Sequence, residues 1–443
     1  MKLIALAAVM IGLTIVAPAS GQNVFPYQHQ TEKLDNGLTL VMVPMDTPGL
    51  VAYWSIVRTG SRDEVEPGKS GFAHFFEHMM FRGTKQYPGP VYDRIVTSLG
   101  ADANAYTTDD YTAYHLQFAK DDLEKVIEIE SDRFQNLDYS PEAFQTEAGA
   151  IYGEYRKSVT QPFFFLDEKV RDTAYDVHTY KHTTMGFEAD VKAMPEGYEY
   201  SRSFFHRFYR PENVVLLVVG DIDTAKTLEL VEKYYGSWDR GYQSPQIEEE
   251  PQQKGERQAE VTYPGQTLPI LDIAYKGEKL DPTNRDFAAA MILGDLAFGE
   301  TGELYKKLVI REQKVEFIVP SFPLNRDMPL FEIVAMVKDE ADIPYVRDEV
   351  YRTLEEFKSQ PVDAARLDAV KRHNKYSFLM SLDSPGEVAG ALARFIALTG
   401  GIEVIDRLYQ EMDQVTPQDV MRATAKYFTP KRRTVVVLKG ASS

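Results

Sequence analysis

The sequence predicts an α+β fold of two homologous tandem domains, and three observations carry that prediction. First, the chain repeats itself at long range. Phe208-Tyr209-Arg210-Pro211 leads into the run Val214 to Gly220, and Tyr427-Phe428-Thr429-Pro430 leads into Thr434 to Gly440. Each unit reads as a helix ending at an aromatic pair, a proline turn and a buried β-branched strand. Second, the stretch Gln243 to Gln258 between the units is rich in Pro, Gln and Glu and poor in apolar residues, the composition of a linker. Third, the repeat is far longer than any solenoid period, which indicates tandem domains rather than an array. The expected division is a leader over 1–21, an N-terminal domain over 22–242, a linker over 243–258 and a C-terminal homologous domain over 259–443.

From the N-terminus, residues 1–21 carry one charge, Lys2, then an apolar stretch from Leu3 to Val16 and the small-residue run Ala17-Pro18-Ala19-Ser20. This is the pattern of a secretory signal peptide, so the mature chain is expected to be exported, periplasmic or secreted. No later segment approaches the ~20 apolar residues a membrane span needs, so no membrane association is expected after cleavage. Leu38 to Val43 and Val51 to Val57 read as strands. A loop containing Gly60-Ser61-Arg62-Asp63-Glu64 then leads to a short helix with Ser70 as its expected N-cap and Gly83 as its stop. A further strand runs through Asn104-Ala105-Tyr106-Thr107, turns at Asp109-Asp110 and continues through Thr112 to Phe118. Ser140-Pro141 is an N-cap followed by proline at the first helical position, and opens a helix to about Lys157.

The short helix carries His74-Phe75-Phe76-Glu77-His78. At about 100° per residue, the two histidines and the glutamate share one face, while Phe72, Phe75, Phe76 and Met79 form an apolar stripe on the other. Neutral imidazoles ligate Zn²⁺, and a catalytic zinc needs a third protein ligand and an open position for water. Glu77 is then placed to act as a base on that water. On the helix opened by Pro141, Glu147 and Glu154 lie seven residues apart and so within about 20° of each other around the axis. Either could complete the metal shell.

Composition narrows the chemistry. A chain of 443 residues that is 44% hydrophobic is long enough for two or three domains with proper cores. There is no cysteine, which excludes disulfides, thiolate-ligated zinc and iron–sulfur clusters, so any metal must be held by His, Asp or Glu. The formal charge of -18, one unit more negative once Lys2 leaves with the leader, repels a nucleic-acid backbone, so no nucleic-acid partner is expected.

The run from Gly71 to Thr84, with His74, Glu77 and His78 inside it, resembles the signature of the inverzincins, the family of pitrilysin, insulysin and the mitochondrial processing peptidase. The likeness extends to Gly60–Glu64, to Asn104–Thr107, to Glu147 with Glu154, and to the proline turn and valine-rich strand ending at Gly220-Asp221. It covers most of residues 30–440, the first half more specifically. It implies domains built from mostly antiparallel sheets packed with helices, one Zn²⁺ per chain, and zinc-dependent endopeptidase activity on peptides or small unfolded polypeptides. By resemblance His74, His78 and Glu154 are the metal ligands, Glu77 the general base, and Glu147 a supporting carboxylate that fixes a ligand histidine. Asn104 and Ala105 would contact a peptide substrate added as an extended strand.

Active members of that family also use an arginine and a tyrosine seven residues apart in a C-terminal domain, to hold substrate and steady the oxyanion. Here the tyrosine position falls on Phe317, which has no hydroxyl, and counting back seven reaches Ile310; Arg311 fits only with the spacing shortened by one. The reading that follows is a zinc-bearing subunit of a heterodimer whose homologous partner supplies the Arg-Tyr pair. The alternatives are a homodimer using another donor, such as Tyr305, and a non-catalytic metal-containing scaffold or binding subunit of a larger complex. Retention of Glu77 argues against the scaffold, which would have no use for a base.

Overall fold

The computed structural model describes residues 23–441, so the leader expected over 1–21 lies outside the described residues. Two mixed sheets of matching topology organise the chain. The first contains β1 (Gln30–Lys33), β2 (Thr39–Pro44), β3 (Leu50–Val57), β4 (Asp102–Thr107), β5 (Thr112–Ala119) and β6 (Val214–Gly220), in the order β1-β2-β6-β3-β5-β4. The second contains β7 (Arg257–Tyr263), β8 (Ile270–Lys276), β9 (Val315–Ser321), β10 (Leu330–Val337) and β11 (Arg433–Gly440), in the order β7-β11-β8-β10-β9. Setting β1 aside, strand for strand the two orders are the same. In each sheet a single pair is parallel, β2 with β6 and β7 with β11, and the other pairings are antiparallel. The long-range repeat is thus a repeat of architecture, with β6 and β11 as equivalent central strands.

β6 and β8 are buried at every residue, which is why they read as continuous apolar runs rather than alternating ones. Each sheet has helices of its own domain on one face and a helix of the other domain on the opposite face. On the first sheet, Ala52, Trp54, Ile56, Val215 and Leu217 pack with Ala389, Leu392, Ala393 and Ile396 of the helix Pro385–Thr399. On the second, Ile270, Ala274, Val436 and Leu438 pack with Leu166, Val170 and Ala174 of the helix Pro162–Ala174. The two helices hold corresponding places, so the domains exchange one helix each and share their cores. Each fully buried aliphatic side chain contributes about 1.5–3 kcal/mol to this joint core.

Residues 238–256 contain no helix or strand, and β7 begins at Arg257. The segment is nevertheless tied down. Glu250 accepts from the backbone N–H of Asp176, Val177 and His178 and pairs with Lys276 at 2.5 Å, and Gln253 donates to the Arg433 carbonyl at 2.7 Å. No single helix among the described residues is long and apolar enough to cross a membrane.

Candidate metal centre

The histidine helix spans Phe72–Met79 and follows β3, a short 3-10 turn, Ser61–Asp63, and the loop 64–71. Its start differs from the expected cap. The helix is entered from Gly71, at φ +91°, a left-handed conformation that suits glycine, and a Cβ there would meet the Met185 carbonyl oxygen at 2.8 Å. Ser70 faces away, donating to Asp190 at 2.6 Å and accepting from the Phe187 N–H at 2.8 Å. The free N–H groups are taken instead by Glu64, whose two oxygens accept from Gly71 at 2.7 Å and Ala73 at 2.6 Å. A carboxylate buried against a helix N-terminus satisfies the orphan donors from outside the helix. Phe72, Phe75, Phe76 and Met79 are all buried in the domain core, as their stripe predicts, and the helix gives way at Met80 to a 3-10 turn before Gly83 at φ +89°.

With the apolar stripe locked, the opposite face presents His74, Glu77 and His78, whose ligand atoms lie within 4.8 Å of one another. The helix Pro141–Ser158 supplies the rest. Its start is as expected, with Ser140 accepting from the Ala143 N–H at 3.2 Å and proline in the first turn. Glu154 directs one oxygen to both imidazoles, 3.4 Å from His78 Nε2 and 3.9 Å from His74 Nε2. Ligands at about 2.0–2.1 Å from a tetrahedral zinc lie roughly 3.4 Å from one another, so these separations suit a shared ion. Glu147 does something different. One of its oxygens meets His78 Nδ1 at 3.0 Å and the other accepts from Arg82 Nε at 2.5 Å. Its side chain is 3% exposed against 43% for Glu154, so two glutamates that look alike in sequence are separated by environment.

The electrostatics set the two imidazoles apart. Burial, with His78 beside it, lowers His74 to about 3, so its ring stays neutral, the form that ligates a metal. His74 Nδ1 is buried without a partner, leaving that ring held by packing. His78 is raised by its hydrogen bond to Glu147. Burial alone would raise Glu147, yet its bonds to His78 and Arg82 hold it below the usual carboxylate range. Burial raises Glu77, partly offset by Thr107, whose Oγ1 donates to Glu77 Oε2 at 2.7 Å. Sequence reasoning assigns no role to Thr107, Arg82 or Glu64. Each lies within a stretch that carries the family resemblance, but only the folded chain shows which group it touches.

A cleft of about 350 Å³ runs between Glu77, His78, Phe81, Arg82, Asp93, Asn104, Ala105 and Glu147. Asn104 and Ala105 lie on β4, whose outer edge is free because it closes the sheet order. The Ala105 N–H donates to the side chain of Asn104 at 2.8 Å. The residues weighed as oxyanion donors lie elsewhere. Phe317 is on β9, with its ring 6.0 Å from that of Phe163, and Ile310 is 59% exposed. Arg311 pairs loosely with Glu303 at 3.6 Å, and Tyr305 packs against the second-domain core.

The family profile described as Insulinase (Peptidase family M16) matches residues 43–188, and the one described as Peptidase M16 inactive domain matches residues 197–374. Zinc protease PqqE of Helicobacter pylori is 28% identical over 447 residues, 99% of this chain and 98% of the relative. Mitochondrial-processing peptidase subunit beta of Saccharomyces cerevisiae is 23% identical over 414 residues, 88% of this chain and 87% of the relative. A crystal structure of a protease from Helicobacter pylori superposes with a TM-score of 0.87 at 28% identity, covering 93% of this chain and 99% of that one. The first half of the periplasmic protease PqqL from Escherichia coli shares the fold, with a TM-score of 0.75 at 20% identity over 93% of this chain and 92% of that one.

Proposed function

Because the chain belongs to the insulinase (M16) family of zinc peptidases, the family of pitrilysin and the mitochondrial processing peptidase, we propose that it is a zinc-dependent endopeptidase acting on peptides or small unfolded polypeptides. The observation that carries this reading is the convergence of His74, His78 and Glu154 on one point, with Glu77 beside them and held by Thr107. His74, His78 and Glu154 would hold one Zn²⁺, which when bound supplies Lewis-acid polarisation and a more acidic water. Glu77 takes the proton from that water and delivers it to the leaving amine. Its raised pKa favours the first half of that task, since a carboxylate with a higher pKa is the stronger base. Glu147 orients His78 by accepting from Nδ1, which directs Nε2 to the metal side. Substrate adds as an extended strand to the free edge of β4, where Asn104 and Ala105 meet its backbone. Export of the mature chain rests on the leader-like composition of residues 1–21.

For the oxyanion, no arginine or tyrosine hydroxyl among the described residues lines the cleft beside Glu77 and His78 other than Arg82, which is committed to Glu147. This supports the heterodimer reading, in which a homologous partner brings the Arg-Tyr pair; a homodimer would need another donor, such as Tyr305, in place of the hydroxyl that Phe317 lacks.

Glu77→Gln separates catalysis from metal binding. The variant is expected to keep its zinc, because Glu77 is not among the ligands, and to lose turnover of an unstructured peptide. Cleavage at the wild-type rate would refute the assignment of the base. Adding a partner subunit that carries the Arg-Tyr pair should raise the rate by ~10²–10³, the worth of one oxyanion donor, and no stimulation would refute the heterodimer.

A further inference from the structure

We infer that the second domain positions the general base, through a clamp that its loop 325–328 places on the turn closing β4. This rests on the reading of Glu77 as that base. Thr107, which donates to Glu77, is the last residue of β4, and the tight turn that follows is closed by the Thr108 N–H to the Tyr111 carbonyl at 2.8 Å. That turn is gripped from two sides. From the first domain, the N–H groups of Ser61 and Arg62 donate to the carbonyls of Thr108 at 3.3 Å and Asp109 at 2.8 Å. The approach is close enough that a Cβ on Gly60 would meet the Thr108 oxygen at 2.3 Å.

From the second domain, Asn325 Nδ2 and the Arg326 N–H both donate to Asp110 Oδ2, at 2.9 and 3.2 Å. Tyr180 occupies the other oxygen at 2.7 Å. The same loop reaches further into the first domain. The Arg326 guanidinium donates to the Arg58 carbonyl at 3.0 Å, Asp327 accepts from Arg62 at 2.5 Å and lies 3.1 Å from His178 Nε2, and the Met328 carbonyl accepts from Tyr175 at 2.8 Å. Asn325 and Asp110 are both buried. Burying an amide and a carboxylate at a domain seam is costly unless the groups are paired, and here the amide nitrogen pairs with the carboxylate while Asn325 Oδ1 is left without a partner. The path from Asn325 to Glu77 is short and contiguous: the Asp110 side chain, the turn, the Thr107 hydroxyl, the base. On this view the second domain, which brings no metal ligand, contributes to catalysis by holding β4 in register with the histidine helix. Asn325 and Thr107 are positioning residues; neither touches the reacting atoms.

A double-mutant cycle on the metal-loaded protein tests this. Asn325→Ala is expected to lower kcat about tenfold, with KM within twofold and zinc content unchanged, because displacement of a catalytic group by a fraction of an ångström is felt mainly in the chemical step. Thr107→Val should do the same, and Thr107→Ser, which restores the hydroxyl, should recover most of the loss. If the clamp acts through Thr107, Asn325→Ala adds nothing in the Thr107→Val background. Multiplicative losses, or a loss confined to KM or to zinc content, would overturn the proposal. Amide hydrogen exchange gives a readout independent of turnover: exchange across residues 104–111 should quicken in Asn325→Ala, and unchanged exchange would overturn the clamp. The two layers fail separately. Full activity in Glu77→Gln removes the base itself, whereas inactivity of that variant with unaltered β4 exchange in Asn325→Ala removes only the clamp.

Discussion

Glu147→Ala takes away the carboxylate that meets His78 Nδ1 at 3.0 Å, and the structure sets how much that should cost. The Glu147 side chain is 3% exposed, so water cannot readily replace the lost acceptor. His78 would retain its place on the helix but lose the bond that directs Nε2 toward Glu154. Loss of such a supporting partner typically weakens metal affinity by ~10–100-fold, or about 1.4–2.7 kcal/mol, and the burial here points to the upper end. Glu147→Gln keeps an acceptor for Nδ1 but loses the charge and turns an amide N–H toward Arg82, so a drop of about tenfold is expected. Arg82→Ala should cost least. The Arg82 side chain is 54% exposed, and exposed ion pairs contribute no more than ~1 kcal/mol, or about fivefold. Zinc affinity measured by competition with a chromophoric chelator gives all three. The order Glu147→Ala, Glu147→Gln, Arg82→Ala, from weakest binding upward, is the prediction. Affinity within twofold of wild type in Glu147→Ala, or an Arg82→Ala effect larger than that of Glu147→Ala, would refute the argument that Glu147 acts by orienting His78.

Other features of the fold give independent tests. Gly71→Ala forces a side chain into a left-handed position against the Met185 carbonyl, so it should destabilise the protein by about 1–3 kcal/mol and weaken zinc binding with it, read by thermal denaturation with and without metal. Leu392→Ala, in the helix that the second domain lays on the first sheet, should cost about 2–5 kcal/mol in urea unfolding; because Trp54 lies in that shared core and both tryptophans belong to the first domain, fluorescence should report a transition coincident with far-UV circular dichroism, and separate transitions would refute the shared core. Glu332 and the neighbouring Asp272, on the second sheet, are both raised, by burial first and for Glu332 also by Asp167, with Arg171 opposing, so the folded protein holds a proton there at a pH where the unfolded chain has released it. Stability should therefore decline as pH rises above the unfolded value of about 4.3 toward the raised folded one, by about 1.4 kcal/mol per pH unit for each proton held, and Glu332→Gln should reduce the fall in melting temperature between about pH 5 and 8. An unchanged slope in that variant would show that this carboxyl is not the cause.

Much of the first domain was legible because its patterns are local. The strands at Leu38–Val43 and Val51–Val57, the helix capped by Ser140, and the proline turn before Val214 all depend on periodicity or on one capping residue, and each lies within a residue or two of its expected place. What stayed hidden is non-local. Ser70 has the right residue type for an N-cap, but Asp190 and Phe187 compete for its hydroxyl, and Glu64 takes over the helix start from the preceding loop. Glu147 and Glu154 are indistinguishable on a helical wheel. Their separate roles appear only when one is seen buried under Arg82 and the other half-exposed beside both imidazoles. The stretch around Glu250 has the composition of a loose linker, yet a glutamate that accepts three backbone N–H groups and a lysine anchors it. The exchange of helices between domains leaves no mark on local sequence at all, since each helix looks like an ordinary amphipathic or apolar segment.

The duplication of the fold also bears on how many metals the chain holds. In the second domain the helix following β8, Arg285–Phe298, corresponds to the histidine helix, and Ala364–Met380 corresponds to the helix of Glu147 and Glu154. The first of these is buried nearly all round, with Ala288, Ala289, Ala290, Ile292 and Leu293 facing core, so it has no free polar face on which to present ligands. Its Asp295 is engaged by Asn374 at 2.9 Å. Among the described residues, the clustered donors His74, Glu77 and His78 are the one group suited to an ion, which fits chemistry residing in a site placed on a fold rather than in the fold itself. Elemental analysis of protein purified without chelators should therefore find about one zinc per chain, and Glu154→Ala should lose most of it. Two equivalents in the wild type, or full retention in Glu154→Ala, would mean that the second domain or another carboxylate supplies the ligand assigned to Glu154.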